Sequence, residues 1–373
     1  MLYLIILMYI IAILLFFCKL KSKIYYKILW ILMAIPMIVF DHVEQLKGFY
    51  LDTIRIYKEM DIFRISEWDD ITIYSEAPLS KLYLYLVSML DINQLLPIIN
   101  CLLVYGLILY GVNRLGNKLL ISNRLKSLAL LYIIMFSNYI NIYSNIRQPL
   151  ALAICFIIFI LDFYEHKNKI FCFLGYFLAS MIHPSLLIMF VLRILILFSL
   201  KKVLPVLIIL SIIISNYMEN IIALFMTYNN DFIVGLAMKQ EAYTTIEIMT
   251  YTNGARVAVI SVDLVAIFIS LLLIRFLSKR IYLINKPLIN LIVILSVYGF
   301  SCMVVDSQFS HRVEPFILYL FSIYFFIIGE KTNFKLSKVG YSNLKIVFGL
   351  SFIVLSLYFL YFNVYEEWLA YGF

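Results

Sequence analysis

Apolar runs of about 14 to 19 residues recur along this chain, and each is closed off by a connector carrying charge. By the length rule for crossing roughly 30 Å of hydrocarbon, such runs are helices. The pattern predicts an all-α, polytopic integral membrane protein with about 12 transmembrane helices. The expected spans are residues 2–17, 24–40, 94–112, 127–140, 149–164, 168–182, 185–200, 203–217, 256–274, 287–304, 315–329 and 346–363. The opening run lacks a basic leader and a small-residue cleavage site, so it is expected to stay as the first span. An even count puts both termini on the outer side. One run breaks the pattern: PLSKLYLYLVSML, residues 78–90, is apolar but short. It is expected to be a re-entrant or interfacial helix.

Composition narrows the class further. The 373 residues are 64% hydrophobic and only 14% charged, which leaves no room for a soluble catalytic domain. No repeat or linker marks a second domain, so residues 1–373 are expected to form a single polytopic membrane domain. The five cysteines lie in or beside apolar spans, without CxxC or Cys/His metal spacing, and read as small core residues.

The net charge of +8 matters through its distribution. The connectors 18–27, 113–126, 162–169, 201–202, 275–286 and 330–345 hold 20 Lys and Arg against 3 acids, whereas the alternate set holds 9 against 18. The positive-inside rule places the basic set in the cytoplasm. The long segments 41–93 and 216–255, together with Arg147, His183 and His311, are then extracytoplasmic. Such a balance speaks for orientation in a membrane and against nucleic acid as a partner. Aromatics in the first outer segment, Tyr50, Tyr57, Phe63, Trp68 and Tyr74, suit stacking on sugar faces and equally a place in the headgroup layer.

Charges at span ends are the candidate chemistry, because each costs about 2.5 to 3.5 kcal/mol if carried to a helix centre. Arg147 opens the 149–164 helix in NIRQPLALA, with Gln148 and Pro149 behind it. The first-turn amides, the dipole and a bidentate guanidinium all favour an anion there. An arginine snorkelling to lipid phosphate would look the same. His183, followed by Pro184, marks a helix break at the outer surface, where it could accept a proton or simply cap a helix end. On that reading Ser185 is an N-cap for the descending helix. Arg256 opens another span, with Asp263 two turns deeper on the same face as its expected ion-pair partner. SQFSHRVEPF supplies His311, Arg312 and Glu314 at the outer start of the 315–329 helix. No P-loop, GxSxG, HExxH or outer Asp-x-Asp is present, so no metal and no cofactor are expected.

NIRQPLALA, followed about 35 residues later by ASMIHPS, resembles the EpsG-like branch of the Wzy-type bacterial polysaccharide polymerases. LDTIRIYKEM at 51–60 is similar to that family's outer-loop Asp-Thr pattern, with Leu51 where a glycine is often found. SEAPLSKLYLYLVSML at 75–90 and SHRVEPFILY at 310–319 are similar to its glutamate before an apolar helix and its late arginine.

The resemblance implies a glycosyltransferase of the bacterial cytoplasmic membrane that moves a growing glycan from undecaprenyl pyrophosphate to the terminal sugar of another lipid-linked repeat unit. Arg147 would then hold the pyrophosphate, His183 would act as base, and Gln148, Arg256, Arg312, His311, Glu76 and Asp52 would contact substrate. Expected partners are the undecaprenyl-pyrophosphate-linked oligosaccharide, membrane lipid, and flippase and chain-length regulator proteins. The alternatives are a membrane O-acyltransferase acting on surface glycans and a lipid-linked oligosaccharide flippase.

Overall fold

A computed structural model describes residues 2–39, 51–66, 77–137, 139–210, 253–277, 279–303 and 307–329. Among them every regular element is helical: α1 Leu2–Phe17, α2 Ser22–Val39, α3 Leu51–Phe63, α4 Pro78–Ser88, α5 Leu95–Lys118, α6 Asn123–Phe136, α7 Tyr139–Ser144, α8 Arg147–Phe163, α9 Lys169–Ile182, α10 Ile188–Leu195, α11 Asn253–Phe276, α12 Lys279–Met303 and α13 Ser307–Gly329. Three of these, over Ser22–Val39, Leu95–Lys118 and Tyr282–Ser301, are long and apolar enough to cross a membrane by length and composition. Large apolar side chains face outward on α1 and α9, among them Leu14, Phe17, Phe171, Phe173 and Leu174. An exterior of that kind is unfavourable in water and suits hydrocarbon.

The chain divides into two compact units. One comprises residues 1–190, 318–334 and 359–373, and the other 191–317 and 335–358.

In the first unit α2, α5, α8 and α9 stack side by side in that order, with α6 and α1 packed beside α2. Small residues set the spacing. A Cβ on Gly111 of α5 would lie 2.8 Å from Ile157 Cδ1 of α8, and one on Gly106 would lie 3.0 Å from Trp30 Nε1 of α2. Close backbone approach through small residues is the usual means of association where no hydrophobic drive separates helix from lipid. Trp30 then donates to the Leu102 carbonyl at 2.7 Å. Pro36 interrupts the ladder of α2, and the nearby Met33 carbonyl accepts from Tyr139 Oη at 2.9 Å and Cys101 Sγ at 3.2 Å. Each such bond spares a buried carbonyl a cost of about 1 to 3 kcal/mol. The later turns of α13 also pack here, with Phe325 against Tyr132 at 5.1 Å between centroids.

Several boundaries differ from those expected. The span 127–140 is broken: α6 ends at Phe136, Ser137 is extended (ψ 132°), and α7 follows. The Ser137 hydroxyl meets Tyr105 Oη of α5 at 2.9 Å, a long-range contact that holds the residue at the break. The span 185–200 opens with a 3₁₀ turn, Pro184–Leu187, before α10, which ends at Leu195. α12 and α13 begin eight residues earlier than expected and keep Pro287 and Pro315 inside them. SQFSHRVEPF is therefore helical throughout. The span 346–363 lies outside the described residues. Cys101, Cys155 and Cys172 are buried core residues as expected, whereas Cys18 is exposed.

In the second unit α11 and α12 form an antiparallel pair joined across 277–278. Asn290 of α12 donates to the Ile196 carbonyl at 3.0 Å, tying the pair to the end of α10. Asp263 is 1% exposed within α11, and its Oδ2 accepts no hydrogen bond. The side chain of Arg256, its expected ion-pair partner, lies outside the described residues.

Candidate functional site

α8 and α9 form a helical hairpin closed by residues 164–168, so the start of α8 and the end of α9 lie at the same end of the pair. Arg147 is the first residue of α8 and His183 caps the end of α9. The hairpin thus brings these two candidates to one end, as an acid–base and anion site requires. Close contact keeps the two helices in register. A Cβ on Gly175 of α9 would lie 2.5 Å from Ile158 Cδ1 of α8.

The opposite end of the same helices is the basic one. Arg114, near the end of α5, makes a bidentate pair with Glu165 in the hairpin connector, Nε to Oε1 at 2.5 Å and Nη2 to Oε2 at 2.7 Å. Its Nη1 also donates to Tyr110 Oη at 2.8 Å. α5 and α8 therefore run parallel, with connectors 113–126 and 162–169 together and Arg147 and His183 away from both. The Arg114 guanidinium holds the Glu165 carboxyl below the usual carboxylate range. A depressed carboxylate stabilises the fold above its unfolded pKa, and that contribution disappears as pH falls through the folded value. Glu165→Gln is accordingly expected to flatten the loss of thermal midpoint on acidification. An acid profile unchanged from wild type would show that this pair contributes nothing.

A cap covers the Arg147 end. Ile56, Met60 and Phe63 share one face of α3 and cluster with Tyr57, with Leu84 and Val87 of α4, with Leu96, and with Ile146 beside Arg147. α4 runs from the start of α5 to a contact with α9. With 11 residues it is about 16 Å long, too short to span hydrocarbon.

Arg64, one residue past α3, fastens the cap. It pairs with Asp61 at 2.6 Å, donates to the Ser88 carbonyl at 2.9 Å and bonds the Asn93 side chain. Lys81 of α4 pairs with Glu59 of α3. Tyr57 and Phe63 are 6% and 5% exposed and belong to this core, so stacking on sugar is not open to them. Tyr50, Trp68 and Tyr74 lie outside the described residues.

Local structure suits each central residue to a task. Pro149 occupies the third position of α8, where a missing N–H costs no helical bond. Arg147 is half-buried and Gln148 is buried. The first-turn amides of α8 present the positive end of its dipole beside Arg147. His183 is extended (φ −143°, ψ 115°), with its backbone N–H still bonded to the Ala179 carbonyl at 3.1 Å. Its Nδ1 lies 2.7 Å from Ser185 Oγ. Ser185 is therefore the residue that orients the imidazole, not an N-cap, because it sits inside the 3₁₀ turn that His183 itself caps. In the tautomer that carries its proton on Nδ1, Nδ1 donates to that hydroxyl and Nε2 is the acceptor nitrogen of the ring.

The remaining candidates are placed only by their backbones. Asp52 lies in the first turn of α3, and Glu76 lies outside the described residues. Arg256 is in the first turn of α11, and His311 and Arg312 are in the first turns of α13, all three in the second compact unit. The Arg64 clasp and the Arg114–Glu165 pair were missed from sequence because their partners are 29 and 51 residues away. The Ser185 contact had a local signal, a hydroxyl two residues beyond a histidine at a helix break. No family model, characterised protein or solved structure matches this chain.

Proposed function

We propose that this protein is a metal-independent polysaccharide polymerase of the bacterial cytoplasmic membrane, with about twelve spans and Arg147 and His183 at its outer face. In this reading it transfers a growing glycan from undecaprenyl pyrophosphate to the terminal sugar of a second lipid-linked repeat unit. The observation that carries the reading is the placement of Arg147 and His183 at one end of the α8–α9 hairpin, opposite the basic connectors.

The chemistry follows from the groups. Pyrophosphate departs readily once its growing negative charge is neutralised, and Arg147 with the first-turn amides of α8 supplies that field. The acceptor sugar hydroxyl must lose a proton as it attacks the anomeric carbon, and His183 Nε2 takes it. The new glycosidic bond forms as the bond to pyrophosphate breaks, and the carrier leaves as undecaprenyl pyrophosphate. Gln148, Arg256, Arg312, His311, Glu76 and Asp52 are assigned to substrate contacts, and flippase and chain-length regulator proteins to partnership. The excess of Lys and Arg in the basic connectors supports a cytoplasmic position for the other end of the bundle.

Deleting the gene tests the reading. Single repeat units are expected to accumulate on carrier lipid in the outer leaflet. Retention on the inner leaflet would replace the proposal with a flippase, and full-length polymer lacking acyl groups would replace it with an O-acyltransferase. Orientation has its own test. A thiol at Arg147→Cys should react with an impermeant reagent from outside, and one at the exposed Lys167→Cys only from inside.

A further inference from the structure

Between the end of α6 and the start of α8 the chain runs antiparallel to the first part of α5, and three contacts fix the register. Tyr105 Oη meets Ser137 Oγ at 2.9 Å. Asn100 Nδ2 donates to the Ile142 carbonyl at 2.9 Å. Leu96 and Ile146 belong to the same buried cluster. A step of five and then four residues back along α5 matches a step of five and then four forward along the other segment, so the pairing does not slip. The last residue so matched, Ile146, immediately precedes Arg147.

Asn100 makes the middle contact, the one of the three that acts on the backbone. α7 is a single short helix, and the carbonyls of its last turn have no helical donor. Ile142 carries one of them. Asn100, 0% exposed, supplies the donor from a neighbouring helix. The start of α7 is held separately, by Tyr139 Oη on the Met33 carbonyl of α2 at 2.9 Å. Past Ile142 the chain turns: the Gln148 N–H bonds the Asn145 carbonyl at 3.0 Å, Ile146 takes φ −18° and ψ −50°, and α8 begins at Arg147. The end of α7 is therefore the fixed point from which Arg147 is placed.

Folding stability gives little reason for an amide at this position. Asn100 Oδ1 is buried without a hydrogen-bond partner, which costs free energy in an apolar interior. A leucine of similar volume would avoid that cost while giving up one bond. His183 is placed along a different path, by α9 and by Ser185. We infer that Asn100 is a positioning residue for Arg147: by ending α7 at Ile142 it sets where α8 starts, and with it the guanidinium that meets the anion. The role in turnover rests on the polymerase reading, whereas the placement of position 147 does not.

Two measurements on the full-length protein separate these. In the first, the thiol of Arg147→Cys reacts with a negatively charged methanethiosulfonate, and the modified peptide is quantified by mass. Adding Asn100→Leu is expected to change that rate several-fold, while a thiol at the exposed Lys167→Cys reacts as before. In the second, turnover of a lipid-linked repeat unit is measured. Asn100→Leu is expected to lower kcat about tenfold, since a small misplacement of a charge-holding group costs rate. The same loss should appear on top of His183→Gln and vanish on top of Arg147→Lys, because the lysine has already given up the fork that Asn100 places. A purely structural defect would lower every background alike. Asn100→Ala, which removes the amide without adding bulk, takes both measurements if Asn100→Leu does not fold. Failure of both to fold would make Asn100 a stability residue and overturn the inference. Equal thiol rates at position 147 with and without the Asn100 substitution overturn it too, as does a loss that adds in full to that of Arg147→Lys. A wild type without turnover overturns the polymerase reading instead, and the thiol rates then decide for Asn100.

Discussion

Arg147→Lys is expected to remove most long polymer from cells while the protein remains in the membrane at its normal level. The ammonium keeps the charge but presents no planar fork, so it cannot hold two phosphate oxygens at once. Losing one aimed donor where charge develops typically costs about a hundredfold or more in turnover. Arg147 is half-buried at a helix start and outside the apolar cluster that holds Ile146, so folding should be spared. The measurement is chain length on a gel together with turnover of a purified lipid-linked repeat unit. Normal chain length in a well-expressed Arg147→Ala variant would take this residue out of the mechanism. His183→Gln should act differently, because it leaves the anion held but removes the base; its defect should lie in turnover with little change in substrate affinity.

The second large effect concerns the hairpin that brings these residues together. Gly175→Val should leave little folded protein, because its Cβ would be placed 2.5 Å from Ile158 Cδ1 and 2.8 Å from Ile158 Cγ1. Ile158 is β-branched, so in a helix its χ1 and with it Cγ1 are held in place, and only Cδ1 can turn away. Forcing extra volume into a packed contact costs about 1 to 3 kcal/mol, a large part of a typical stability. Cys172, Gly175 and Ala179 lie on the buried side of α9, a narrow face that lets α8 approach. Pairing Gly175→Val with Ile158→Ala should restore the thermal midpoint and much of the yield. Failure of that rescue would show that Gly175 serves some purpose other than close approach.

The two substitutions separate chemistry from architecture. Arg147→Lys should silence a folded protein, and Gly175→Val should lower the amount of a protein whose remaining copies work.

Helix content was legible because hydrocarbon-length apolar runs have few other ways to satisfy their backbone. The helix break at His183, the short helix at 78–88 and the N-terminal place of Arg147 followed from local proline and length rules. What escaped was long-range or compensatory. Tyr57 and Phe63 looked available for sugars because an aromatic in a charged segment carries no label of burial, and only packing of α3 on α4 hides them. The break at Ser137 depended on Tyr105, 32 residues earlier in the chain. The start of the last described helix is expected at Pro315, because proline suits a first turn, yet the helix begins at Ser307 and runs through that proline.

By itself the sequence determined the all-helical class, the segregation of basic connectors and the residue types able to grip an anion or take a proton, since these depend on composition and near neighbours. Tertiary structure alone decided which of those residues share an end of the bundle, that Ser185 contacts the imidazole, and that Arg114 pairs with Glu165. Such facts arise from helix pairing, where backbones set close by glycine bring together groups that the chain keeps far apart.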